Sequence, residues 1–146
     1  MKKNKAVYHF LPVYGRHIFM GSSVKEIGDL LGKYYDVNKI DVSILPSEES
    51  VHGFVYPITS ATNEELTHSY VMYVKSSADI GTVTHEATHL TNFIFDYLGQ
   101  ELDVCNDEAQ AYLTGYLTQT FLEQIRGAKA TSQKPLEKLK KKTKGK

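Results

Sequence analysis

The chain has one cysteine, Cys105, and no tryptophan among its 146 residues. A single cysteine excludes an internal disulfide, so stability has to come from a packed core, and it fits a reducing, intracellular setting. Long apolar runs are missing as well. The start, Met1-Lys2-Lys3-Asn4-Lys5, imitates the basic opening of a signal peptide, but Ala6 to Met20 is interrupted by His9, Pro12, Gly15, Arg16 and His17. No stretch of signal or membrane length follows, so the expectation is a cytoplasmic protein with no membrane partner. No internal repeat is visible.

Net charge is the next absence, and it hides two unlike parts. Residues 129–146 hold eight lysines and one glutamate, a balance of +7, whereas residues 1–128 hold nine Lys plus Arg against sixteen Asp plus Glu, a balance of −7. Leu136 and Leu139 are the only large apolar side chains of the tail. So little apolar surface does not offset the entropy of ordering, and the expected organisation is one domain over residues 1–127 followed by a basic, disordered tail over residues 128–146. Two further readings of the tail stay open: an arm for nucleic acid or an acidic partner, and a segment that folds back on the acidic body.

What is present is an α+β pattern. Strands are expected at Lys5–Val13, Ile40–Ile44, Val51–Ile58 and Ser69–Val74, on apolar alternation and β-branched or aromatic content. Thr59–Thr67 reads as a polar link. A helix capped by Ser22 or Ser23 runs to about Tyr35, with Val24, Ile27, Leu30, Leu31 and Tyr34 at helical spacing. From Asp79 to Leu98 the period is again three to four, through Ile80, Val83, Ala87, Leu90, Ile94 and Tyr97, with Ser76 or Ser77 as the cap and Gly99 as the stop. A last helix is expected from about Asn106 to Arg126, its inward face formed by Ala109, Tyr112, Leu113, Tyr116, Leu117, Thr120 and Ile125, with Asp103 or Asn106 as its cap. Strands that mostly precede the helices suit an α+β layer better than a parallel βαβ fold.

The chemistry lies in His85-Glu86-Ala87-Thr88-His89. On a helix, residues four apart share a face, with about 5–6 Å between Cβ atoms. Two imidazoles so placed can reach one zinc ion at roughly 2.0–2.1 Å. Glu86 follows the first histidine and can reach a water activated by the metal without being a ligand. A metal lowers the pKa of its water from about 15.7 towards about 7, and a carboxylate can then take the proton.

A catalytic zinc usually has three protein ligands. Glu108, on the following helix, is the favoured third candidate. Asp96 lies two turns along the helix of the motif, too far along the axis to share the ion. Asp107 points about 100° away from Glu108 and suits a cap. Asp103 and Glu101, in the link, stay open. No histidine follows His89, which excludes the three-histidine metzincin pattern.

HExxH followed by a glutamate on a later helix resembles the gluzincin group of metallopeptidases. The size is closer to minimal single-domain zincins, such as the ImmA/IrrE-like peptidases of phages and mobile elements. The resemblance covers Thr82 to about Leu117. It implies a small zincin-like domain, mainly an antiparallel sheet packed against the active-site helix and a C-terminal helix. It also implies a Zn2+ cofactor on His85, His89 and Glu108, with Glu86 as general base, hydrolysing peptide bonds of a protein or peptide substrate. A strand beside the cleft, Tyr70–Lys75, would pair with an extended substrate. The large second domain of thermolysin-type enzymes has no counterpart here, so substrate preference does not transfer.

Other side chains carry two readings each. Tyr112, one turn after Glu108, is a candidate catalytic donor to an oxyanion or a core aromatic. His52 and His68 flank the strands and could assist the transition state, or could be hydrogen-bonded surface groups. Cys105 could ligate zinc or be a buried thiol. The alternative function is a non-catalytic zincin-fold accessory protein, phage-encoded, binding a protein or nucleic acid partner.

Overall fold

A computed structural model describes residues 6–34, 43, 45–58 and 68–126. The strand expected at Ile40–Ile44 (apart from Ser43), the link at Thr59–Thr67 and the tail at 128–146 lie outside the described residues. The elements are β1 (Val7–Leu11), β2 (Arg16–Gly21), α1 (Val24–Tyr34), β3 (Gly53–Ile58), β4 (Ser69–Val74), α2 (Ile80–Tyr97) and α3 (Glu108–Arg126).

The expected first strand is in fact the first arm of a hairpin. Pro12 to Gly15 form the turn, Tyr14 N–H donates to the Leu11 carbonyl at 3.2 Å, and Gly15 takes a φ of 59°, which a glycine adopts without steric cost. The second arm, β2, was not anticipated, because Arg16 and His17 at its head disguise an apolar run. Ile18, Phe19 and Met20 are wholly buried, and Arg16 is buried with them, its guanidinium 4.1 Å from the centre of the Tyr97 ring. That stacking carries the charge against an aromatic face at the end of α2.

The sheet is mixed, in the order β1-β2-β4-β3. The β1–β2 and β3–β4 pairs are antiparallel, and β2–β4 is parallel. Alternation along the two central strands divides the core in two. Ile18, Met20, Tyr70, Met72 and Val74 face α2 and α3, where Val83, Ala87, Leu90, Ile94, Leu117 and Phe121 meet them. Phe19, Val71 and Tyr73 face the other way, onto Ile27 and Leu31 of α1 and Phe54 and Ile58 of β3. Burying each large aliphatic side chain contributes about 1.5–3 kcal/mol, so both layers hold the central strands.

Helix ends follow local chemistry. Ser23 caps α1 as expected, its Oγ accepting from Glu26 N–H at 3.4 Å, and the Glu48 carboxylate also accepts from Val24 N–H. At α2 the cap is Asp79 rather than Ser76 or Ser77. Its Oδ1 accepts from the Thr82 N–H at 2.8 Å and from the Thr82 hydroxyl at 3.1 Å. A carboxylate is the better acceptor at the positive end of the helix. Gly99, at φ 67°, closes α2, with Gly99 N–H on the Asp96 carbonyl and Gln100 N–H on the Phe95 carbonyl. At the start of α3 the Asp107 carbonyl accepts from Ala111 N–H, while Asp103 turns the link instead, accepting from Cys105 N–H. The inward face of α3 also differs: Leu113, Leu117, Thr120 and Phe121 are buried, but Ala109, Tyr112 and Tyr116 are exposed. The apolar stripe runs 113–117–121, and Phe121 had been left out of it. Among the described residues no helix is long and apolar enough to cross a membrane.

Candidate metal centre

The motif falls on α2 as its periodicity requires. Val83, Ala87, Leu90 and Ile94 bury one stripe of the helix against the sheet. His85 and His89 then stand on the solvent side. Their Nε2 atoms are 3.0 Å apart and their rings meet edge to face at 82°. Two imidazoles bound tetrahedrally at about 2.0–2.1 Å would hold their nitrogens about 3.3 Å apart. The pair therefore needs only a few tenths of an ångström to accept one ion, and its donor chemistry fits zinc.

Glu86 is 6% exposed and packs against Gly53 at the start of β3, with His85 and His89 near its carboxyl. The reason for the fit is Gly53. A Cβ on Gly53 would come within 2.8 Å of Glu86 Cγ, 3.0 Å of the Tyr73 carbonyl oxygen and 3.1 Å of Glu86 Oε1. Only a residue without a side chain leaves room there. Burial pushes the Glu86 carboxyl above its ordinary value, and the neighbouring His85 and His89 oppose that rise. A carboxylate displaced upwards is a stronger proton acceptor nearer neutral pH. The role of Gly53 was missed in the sequence, where a glycine at a strand start reads only as punctuation.

A cleft of ≈ 500 Å³ opens beside these groups, lined by Ser50, Val51, His52 and Gly53 on one wall and Gly81, Thr82, His85 and Glu86 on the other. His52 thus shares the cleft with the motif. His68 does not: it meets Tyr97 at the far end of α2, 3.2 Å from its hydroxyl. β3, which carries Gly53, is an edge strand of the described sheet. β4 is not, since β2 and β3 occupy both its edges. The expectation that Tyr70–Lys75 pairs with a substrate is therefore corrected; among the described residues the edge strand beside the cleft is β3.

The second helix does not bring its carboxylate to the pair. Gln110 donates to Asn92 at 2.5 Å and Thr114 to Thr91 at 3.0 Å, which sets α2 and α3 antiparallel. With Gln110 beside Asn92, Glu108 lies past Asn92, on the link side of His89, and it is exposed. Among the described residues no group of three His, Cys, Asp or Glu side chains is gathered closely enough to hold a metal. Asp96, Asp103 and Glu101 are exposed on that same link side. Tyr112 is 75% exposed, so it is neither a core aromatic nor part of the cleft. Cys105 is exposed in the link rather than buried. Two of the three nitrogen and oxygen donors expected of a catalytic zinc are thus together, and the third is not.

No family model, curated protein or solved structure matches the chain.

Proposed function

We propose that this protein is a zinc-dependent hydrolase, and that its substrate is a peptide bound in extended form beside β3. The observation that carries the reading is the convergence of His85 and His89 Nε2 to 3.0 Å with the buried Glu86 carboxylate next to them on the wall of an open cleft. When bound, zinc would supply a Lewis acid at the histidine pair and make water a stronger acid.

The chain's own groups divide the remaining work. His85 and His89 would hold the ion, on a helix face positioned by the packing of Val83, Ala87 and Leu90 beneath it. Glu86, seated against Gly53 and kept from bulk water, takes the proton from the attacking water and returns it to the leaving group. Among the described residues the outer edge of β3 has no strand beside it, and its backbone N–H and C=O groups would suit an extended chain, which favours a peptide over a compact substrate. Pro57 has no N–H, so this pairing is strongest at Gly53–Tyr56, the part of the strand closest to Glu86. The two-histidine set leaves the third protein position for Glu108, which would have to approach by a shift of α3 along α2.

The test is zinc content of the purified protein by elemental analysis, together with cleavage of an unstructured protein such as casein. One zinc per chain, and cleavage lost in Glu86→Gln while zinc is retained, supports the reading. Absence of stoichiometric zinc, or a Glu86→Gln variant as active as the wild type, defeats it.

A further inference from the structure

Between Ser76 and Ile125 the chain carries eight carboxylates and no lysine or arginine. Five of the eight, Asp96, Glu101, Asp103, Asp107 and Glu108, lie at or beside the α2–α3 link. A groove of ≈ 500 Å³ opens at this end of the helix pair, lined among others by Asn92, Phe95, Asp96, Glu101, Leu102 and Gln110. Around it Leu98, Leu102 and Val104 are 40%, 65% and 80% exposed. Apolar side chains left in water within a field of one sign suit a ligand that is basic and carries spaced apolar residues.

Residues 129–146 have that composition: eight lysines, one glutamate, and leucines at 136 and 139. We propose that the segment 134–142 docks in this groove on its own molecule, with Leu136 and Leu139 against Phe95 and Leu102 and the lysines among the carboxylates. The reach is sufficient. The antiparallel pairing of α2 and α3 puts Arg126 at the end of the pair opposite the groove. At 1.5 Å per residue, α3 separates the two ends by about 27 Å. Ten residues separate Arg126 from Leu136, enough to span about 33–36 Å when extended. Leu136 reaches with a nearly straight chain and Leu139 with slack. The tether raises the local concentration to about the millimolar range, so a weak contact suffices. Screening sets the salt dependence, since the Debye length falls from about 10 Å at 0.1 M salt to about 3 Å at 1 M. The proposal stands whether or not the histidine pair holds a metal.

Cys105, the sole cysteine and exposed in the link, gives the probe its position. A nitroxide on Cys105 of the full-length, nitrogen-15-labelled chain would broaden the amide signals of any segment seated in the groove. At about 50 mM salt the signals of residues 134–142 are expected to lose at least about threefold in intensity relative to the reduced label, and to recover at about 500 mM. Joint replacement of Lys138, Lys140, Lys141 and Lys142 by Glu is expected to abolish the loss. No broadening at low salt overturns the proposal. Broadening that survives in the charge-reversed variant also overturns it, because the carboxylates would not be the attraction. Equal broadening between nitroxide-bearing and nitrogen-15-labelled molecules mixed together replaces the molecule's own tail with that of a second copy, and so overturns docking in cis.

Discussion

Helix α2 is held on its two flanks by different means. On the β3 side, Glu86 is fitted against Gly53 with no room for one additional carbon, and the carboxylate is nearly closed off from solvent. On the α3 side the outer layer of the contact is made of side-chain hydrogen bonds, Gln110 to Asn92 and Thr114 to Thr91, above the buried Leu113 and Leu117. Close packing transmits a change of one methyl group, whereas a polar pair near the surface contributes about 0.5–1.5 kcal/mol and exchanges readily with water. We therefore expect the β3 flank to be the rigid one, fixing the geometry of the motif, and the α3 flank to be the adjustable one, yielding first. On the proposed reading, the base Glu86 sits on the β3 flank and the candidate third ligand, Glu108, on the α3 flank.

The largest effect should come from the rigid flank. Glu86→Gln keeps the shape of the side chain and removes its basicity, so hydrolysis is expected to fall by about 10²–10⁴-fold with zinc content unchanged. The matching change on the adjustable flank, Glu108→Gln, should leave the metal-free protein as stable as the wild type, since Glu108 is exposed. If α3 shifts to complete the site, the same variant binds zinc more weakly, as isothermal titration would show. Unchanged zinc affinity in Glu108→Gln would assign the third position to another group.

Gly53→Ala is the next step down. The added Cβ meets Glu86 Cγ at 2.8 Å and the Tyr73 carbonyl at 3.0 Å, and the latter is backbone that cannot rotate away. Overpacking of this kind costs about 1–3 kcal/mol, which urea unfolding would read as a lower midpoint at constant slope. The expected loss is accompanied by a fall in activity, because Glu86 is displaced. On the other flank, Thr114→Val removes the hydrogen bond to Thr91 and keeps the volume, leaving the half-buried contact about 0.5–1.5 kcal/mol weaker. A larger penalty for Thr114→Val than for Gly53→Ala would reverse the assignment of rigid and adjustable flanks.

The contrast also explains what could be read from the sequence. Periodicity located α1, α2, α3, β3 and β4, because one stripe of each element is apolar, and it put His85 and His89 on one face without any knowledge of the sheet. It did not find β2, where Arg16 is buried by stacking on Tyr97, a partner distant in sequence. It misjudged the face of α3, because Tyr112 and Tyr116 count as apolar by type but stand in water, and the buried Phe121 marks the true stripe. The zincin resemblance put the substrate-facing edge at β4, and neither it nor periodicity gives the strand order, which depends on the parallel β2–β4 pairing between segments far apart in the chain. Glu108 sits at a plausible spacing, but spacing does not specify the axial offset of two packed helices. That offset is set by which side chains interlock, here Gln110 with Asn92.

The smallest expected effect concerns how α3 is tied to the sheet. The Tyr116 hydroxyl lies 2.9 Å from His9 Nε2 on β1, and the two rings are 5.7 Å apart. Burial holds the His9 ring below its ordinary value of 6.5. Above both values the ring is neutral in the folded and unfolded chain alike, and its contribution is fully present. As pH falls through the ordinary value the unfolded chain takes up the proton first, so stability declines until the folded ring is protonated too. Glu86, whose value is raised, acts in the opposite sense, favouring the fold as pH falls towards the carboxylate range. The measurement is accordingly a difference between variants: urea midpoints of wild type and His9→Gln between about pH 7.5 and pH 5.5, the interval where a histidine changes charge. The wild type is expected to lose more stability over that interval than His9→Gln. Equal losses would mean that the His9–Tyr116 contact does not sense pH. The adjustable flank would then be held by its threonine and glutamine pairs and its buried leucines alone.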